Sequence, residues 1–166
     1  MDIDKYTDVL MGTAFLWSKK SACTRKKVGV VVAIDNNIIT QGINGTVAGS
    51  PNNCEKYCEA CGGKGYLVFR GNSQVGKTCT ICDGKGLVTS PFTMHAEQNA
   101  IAKAARKGIP LEGSTFYITL SPCPDCCKLM VASGVKRVVY ADEYSDLSGL
   151  DFLRSNGVEV TKYIEK

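Results

Sequence analysis

Apolar side chains recur at Ile3, Tyr6, Val9, Leu10, Phe15, Leu16 and Trp17. The spacing is mostly helical and predicts an amphipathic helix over residues 3–18, with Asp2 or Asp4 placed to cap it. Val28 to Ile34 is a short β-branched run and reads as a buried strand. Asp35-Asn36-Asn37 signals a turn, and residues 38–43 read as the returning strand of a hairpin. After residue 93 the helical pattern comes back. The alanine-rich stretch 95–107 predicts a strong helix that ends at Gly108 and Pro110. Then follow a strand at 115–120, a helix capped by Cys123 with Pro124 at its first position, and a strand at 135–141. A helix at 146–156 and a strand at 158–163 close the chain. This alternation predicts a three-layer α/β fold whose β-α-β-α-β tail is parallel and right-handed.

From residue 48 to 93 the pattern breaks, and large aliphatics give way to Gly, Lys and Cys. Such a stretch cannot build its own core and needs a staple. Two matched units supply one: Cys58-Glu59-Ala60-Cys61-Gly62-Gly63-Lys64-Gly65 and Cys79-Thr80-Ile81-Cys82-Asp83-Gly84-Lys85-Gly86. Each is C-x-x-C-x-G-x-G, and four thiolates close a tetrahedral structural zinc site. Cys54 stands four residues before Cys58 and is a possible substitute ligand. Residues 66–69, between the units, read as a short strand. The units resemble those of the cysteine-rich domain of J-domain chaperones, which implies a zinc knuckle. The chain is therefore expected to be one domain, 1–166, with a Cys-rich zinc-binding insertion at 50–93.

Composition narrows the class. The hydrophobic share of 44% and charged share of 22% suit a globular protein. No apolar run is long enough for a membrane span. The charged N-terminus lacks the apolar core of a signal peptide, so a cytoplasmic location is expected. Nine cysteines, an odd number with three C-x-x-C pairs, point to metal binding before a disulfide framework. The net charge of +4 suits anionic small molecules.

The only histidine, His95, opens His95-Ala96-Glu97, and Pro122-Cys123-Pro124-Asp125-Cys126 follows. One imidazole and two thiolates form a three-ligand zinc set with a fourth position open for water. Glu97 is then the spare carboxylate beside the metal, available as general acid and base. Each half alone is a weak signal; both together match the H-x-E and P-C-x-x-C signature of zinc-dependent nucleobase deaminases.

Four stretches carry a wider resemblance: Cys23-x-Arg25-x-x-Val28-Gly29, Gly42-x-Asn44-Gly45, His95-Ala96-Glu97-x-Asn99-Ala100 and Thr119-Leu120-x-Pro122-Cys123-x-x-Cys126. They are similar to the cytidine deaminase superfamily, and more narrowly to the deoxycytidylate (dCMP) deaminases. The similarity covers about three quarters of the chain. One departure is Ile43, where the family usually has Tyr. The resemblance implies a cytidine deaminase-like α-β-α fold with a mixed five-stranded sheet. It implies hydrolytic deamination of dCMP to dUMP and ammonia, with Asn44 on the sugar and Arg25 on the phosphate. It also implies a homohexamer activated by dCTP with Mg²⁺ and inhibited by dTTP. Lys26, Lys27, Gly42, Ile43 and Gly45 are then candidates for the effector site, and Arg106 for a contact across a subunit interface. Two other readings remain open on the residues. One is a tRNA-type base deaminase whose insertion grips RNA, but residues 50–93 hold only five Lys or Arg against three Asp or Glu. Nucleic acid and membrane are not expected as partners. The other is a zinc-stapled binding module, which leaves Glu97 unexplained.

Overall fold

A computed structural model describes residues 5–51, 53–67 and 76–165. In chain order its elements are α1 (Thr7–Ser18), β1 (Gly29–Ile34), β2 (Asn37–Ile43), β3 (Glu55–Tyr57), β4 (Tyr66–Leu67), β5 (Lys77–Thr78) and β6 (Leu87–Thr89). There follow α2 (Ala96–Lys107), β7 (Thr115–Leu120), α3 (Pro124–Ala132), β8 (Arg137–Asp142), α4 (Ser148–Ser155) and β9 (Glu159–Lys162). The main sheet runs in the order β2-β1-β7-β8-β9. β1 pairs antiparallel with β2 and with β7, whereas β7–β8 and β8–β9 are parallel. This is the mixed five-stranded sheet expected from the sequence.

Period-two alternation sorts the strand residues onto two faces. Val31, Ala33, Tyr117 and Val139 face α1 and meet Leu10, Met11 and Ala14. Val30, Val32, Phe116, Ile118 and Val138 face the other side, where Ala100 of α2, Met130 of α3 and Leu153 of α4 complete the larger core. One helix therefore covers one face and three cover the other. The β1–β2 hairpin turns through Asp35 and Asn36, both at positive φ (48° and 63°), as a two-residue hairpin of this hand requires.

Two expectations need correction. The first helix begins at Thr7, and its N-cap residue Tyr6 makes no side-chain cap; the proposed caps Asp2 and Asp4, with Ile3, lie outside the described residues. Its buried stripe is Thr7, Leu10, Met11, Ala14 and Ser18, while Val9 and Leu16 are 65% and 64% exposed. Small Ala14 sits inside because the backbone comes close there: a Cβ on Gly29 would overlap the carbonyl of Ala14.

The second correction concerns Cys54. It is disulfide-bonded to Cys23 and so is no substitute zinc ligand. The bond ties the segment after α1 to the root of the insertion. That root is itself ordered, because β3 and β6 pair antiparallel with Glu55 opposite Thr89. β4 and β5 form a second small ladder. Of the strand expected at 66–69, Val68 and Phe69 lie outside the described residues.

Candidate active site

His95 is the N-cap of α2, with an extended backbone. Its N–H donates to Oε1 of Gln98 at 2.9 Å, one arm of a capping box. Cys123 is the N-cap of α3, with Pro124 at the first helical position. Two helix N-termini thus converge, each aiming orphan N–H groups and the positive end of its dipole at one spot. Nδ1 of His95 lies 3.4 Å from Sγ of Cys123 and 3.4 Å from Sγ of Cys126. Tetrahedral zinc with one nitrogen and two sulfur ligands places such atoms about 3.5 Å apart, so the set fits that ion. Glycine makes the approach possible. A Cβ on Gly42 would overlap the carbonyl of Ala96, so β2 packs directly against the first turn of α2. Asn99 strengthens the join by donating to the carbonyl of Ile43 at 2.7 Å.

Glu97 sits in that first turn and is 4% exposed. Burial pushes its carboxyl up to about 7, against the pull of neighbouring His95. The Cys123 thiol falls to about 4, chiefly because the Cys126 thiol hydrogen-bonds to it and because His95 lies beside it. His95 is raised in turn, first by its bond to Cys123. Cys126 is raised, first by that same thiol contact and then by burial. The lowered Cys123 thiol favours the thiolate, the form a metal takes. Cys127 points away; it is fully buried, its thiol contacts the Pro122 carbonyl, and burial pushes it up to about 12.

The site opens into a cleft of about 200 Å³. Glu97, His95 and Cys123 line it together with Asn44, Ser121 and Tyr144. Asn44 braces the cleft wall through its side-chain amide. Its Oδ1 accepts from the Val28 N–H and its Nδ2 donates to the Lys26 carbonyl, both at 2.8 Å, which clamps residues 26–28 along the cleft wall. Each amide atom keeps one further hydrogen-bonding direction for a ligand.

Arg25 also lines the cleft, and its guanidinium donates to Oγ1 of Thr89 at 3.1 Å. Oε1 of Glu55 accepts the backbone N–H groups of Thr24 and Arg25. With the disulfide, these contacts seat the basic turn on β3 and β6. Lys26 reaches over the ring of Tyr144, 4.9 Å from its centroid. Lys27 lines a second hollow with Lys26, Phe15, Ser18 and Asp142. Gly42 is accounted for by packing on α2, and Gly45 by a backbone bridge to Met94. Arg106 is exposed at the end of α2. Sequence reasoning missed Lys85, Glu55, Thr89 and Tyr144, all of which reach this cleft.

The four cysteines of the insertion form a second buried cluster. Cys58 and Cys79 Sγ are 3.8 Å apart, as are Cys61 and Cys82 Sγ. The edge of a zinc–thiolate tetrahedron is also about 3.8 Å. The units are related by an approximate two-fold. Gly65 N–H donates to Cys61 Sγ and Gly86 N–H to Cys82 Sγ, each at 3.3 Å. Cys58 N–H donates to the Gly86 carbonyl and Cys79 N–H to the Gly65 carbonyl. A Cβ at Gly65 would strike the carbonyl of Gly84, and one at Gly86 that of Gly63, so each unit clasps the other through bare backbone. Cys58 is pushed up to about 11, mainly by burial. Burial raises Cys61 as well, but the Gly65 N–H and the nearby thiols together bring it down to about 7.

Comparison with known proteins gives a consistent result. The zinc-binding region of cytidine and deoxycytidylate deaminases matches residues 5–142. The chain is 37% identical to the deoxycytidylate deaminase of Enterobacteria phage T4, covering 89% of this chain and 84% of that one. It is 28% identical to the human deoxycytidylate deaminase, covering 99% and 83%. Among solved structures, the dCMP deaminase of cyanophage S-TIM5 in complex with dCMP and dUMP superposes with a TM-score of 0.75 at 35% identity, covering 98% of this chain and all of that one.

Proposed function

The chain belongs to the cytidine and deoxycytidylate deaminase family, and from that membership we propose that it hydrolyses dCMP to dUMP and ammonia. The observation that carries this reading is a buried carboxyl, Glu97, beside a His95–Cys123–Cys126 zinc set at the inner end of a cleft that also holds Arg25 and Lys26. His95, Cys123 and Cys126 would hold a zinc ion there, and it would supply a Lewis acid that lowers the pKa of a water. Glu97 accepts a proton from that water and delivers it to N3 of the cytosine. The water oxygen adds at C4; Glu97 then takes the remaining proton of the new C4 hydroxyl and passes it to the amino group, so that the C4–N bond breaks, ammonia leaves and C4 becomes the carbonyl of dUMP. A carboxyl whose burial holds it near 7 can both take and give a proton at neutral pH. Asn44 holds the sugar with its spare amide hydrogen, and Arg25 holds the phosphate by a charge-assisted contact.

Further parts of the reading rest on the family likeness. Cys58, Cys61, Cys79 and Cys82 hold a second, structural zinc, and residues 50–93 act as a stapled insertion in a single domain. The enzyme assembles as a hexamer, activated by dCTP with Mg²⁺ and inhibited by dTTP. Lys26 and Lys27 contribute to the effector site beside Gly42, Ile43 and Gly45, and Arg106 contacts a neighbouring subunit. A cytoplasmic location suits a nucleotide substrate; the Cys23–Cys54 disulfide is the feature that speaks against it.

Ammonia release from dCMP, CMP and deoxycytidine tests the substrate. The reading expects dCMP to be turned over fastest, and Arg25→Ala to cost dCMP more than deoxycytidine. No release from dCMP contradicts it.

A further inference from the structure

We propose that Lys85, on the second C-x-x-C unit, is a phosphate-binding specificity residue, so that the insertion forms part of the substrate site. The proposal deepens the dCMP reading and rests on it.

Three cations line the cleft: Arg25 and Lys26 from the segment after α1, and Lys85 from the insertion. Among the described residues none of the three is ion-paired. Glu55, the carboxylate that touches the basic turn, is occupied at Oε1 by two backbone N–H groups. A cleft with unpaired cations from two separate segments of the chain suits a phosphomonoester, whose oxygens accept several charge-assisted bonds at once.

Lys85 is held in place by the metal-ligating loop. Its N–H donates to the Cys82 carbonyl at 2.9 Å, and the next residue, Gly86, donates to Cys82 Sγ and accepts from Cys58 N–H. β6 begins at Leu87 and carries Thr89, the partner of Arg25. The knuckle thus fixes the backbone from which Lys85 extends.

The approximate two-fold supplies an internal control. Lys64 occupies the matching position in the first unit, and its N–H donates to the Cys61 carbonyl in the same way. Both lysines are exposed, but only Lys85 is among the residues lining the cleft. The motif asks for both lysines equally, but only one faces the substrate site.

Calorimetric binding of dUMP and deoxyuridine to the zinc-loaded protein tests the proposal. Lys85→Met keeps the aliphatic stem and removes the charge. It is expected to weaken dUMP about tenfold and deoxyuridine by less than about twofold. Lys85→Arg should restore most of the dUMP affinity, and Lys64→Met should leave it at the wild-type value. Equal weakening of both ligands by Lys85→Met, an unchanged dUMP affinity, or an equal effect from Lys64→Met overturns the role of Lys85. A wild-type protein that binds dUMP no tighter than deoxyuridine overturns the nucleotide-monophosphate reading itself, and Lys85 with it.

Discussion

Ala96 leaves Gly42 no room for a side chain, because a Cβ at residue 42 would fall on the Ala96 carbonyl oxygen. Ala96 lies between His95 and Glu97, so this contact sets the distance from sheet to site. Gly42→Ala must push α2 away from β2. A cost of about 1–3 kcal/mol is expected, from overpacking against backbone that cannot rotate aside. Denaturant unfolding should show the loss, together with reduced turnover. An unchanged midpoint would mean that α2 is not seated on this contact.

The insertion should depend on its thiolates. Cys82→Ser is expected to lower bound zinc from two ions per chain to one, because the structure holds two separate ligand clusters. Structural zinc contributes folding free energy directly, so protease nicking within 50–93 should rise before the main domain melts. A wild-type protein that binds a single zinc ion contradicts this.

The buried carboxyl predicts a pH signature in protein stripped of metal. Glu97 titrates at 4.5 when unfolded and at about 7 when folded. Between these values the folded state holds the extra proton, so stability falls as pH rises and levels off above 7. Cys123 acts in the opposite direction, since its depressed value adds stability as pH rises above about 4. The difference between wild type and Glu97→Gln isolates the carboxyl. Relative to the variant, wild type should lose about 3 kcal/mol between pH 4.5 and 7. A constant difference across that range would mean that Glu97 is not desolvated.

Local patterns were readable in the sequence, and long-range ones were not. The hairpin turn at Asp35-Asn36 and the Cys123-Pro124 helix start depend on a few adjacent residues, and the structure has both. α1 was misjudged because the apolar Val9 and Leu16 face outward while Ala14 is buried. The Cys23–Cys54 bond spans 31 residues, and nothing in the C-x-x-C arithmetic singles it out. Lys85, Glu55 and Thr89 come to the cleft only because β3 and β6 pair across the insertion. At three residues each, those strands are too short to carry a period-two signal. The clamp of Asn44 on Val28 and Lys26 joins residues 16 and 18 positions apart, and no local pattern announces it.

Control by nucleotides predicts particular kinetics. Rate against dCMP should be sigmoidal, become hyperbolic with dCTP and Mg²⁺, and fall with dTTP, with sedimentation as a hexamer. An effector shifts an equilibrium only through different affinities for two states, so both nucleotides must also bind at equilibrium. Hyperbolic kinetics indifferent to both, from a monomer, would limit the family likeness to the chemistry.

The most direct test compares zinc content and dCMP turnover in wild type and Glu97→Gln, measured on the same preparations. Glu97 is assigned as the proton carrier and His95, Cys123 and Cys126 as the ligands. The variant should therefore keep the metal of wild type while its turnover drops about 10²–10⁴-fold. Near wild-type turnover in the variant, or loss of the zinc held by His95, Cys123 and Cys126, would contradict the assignment.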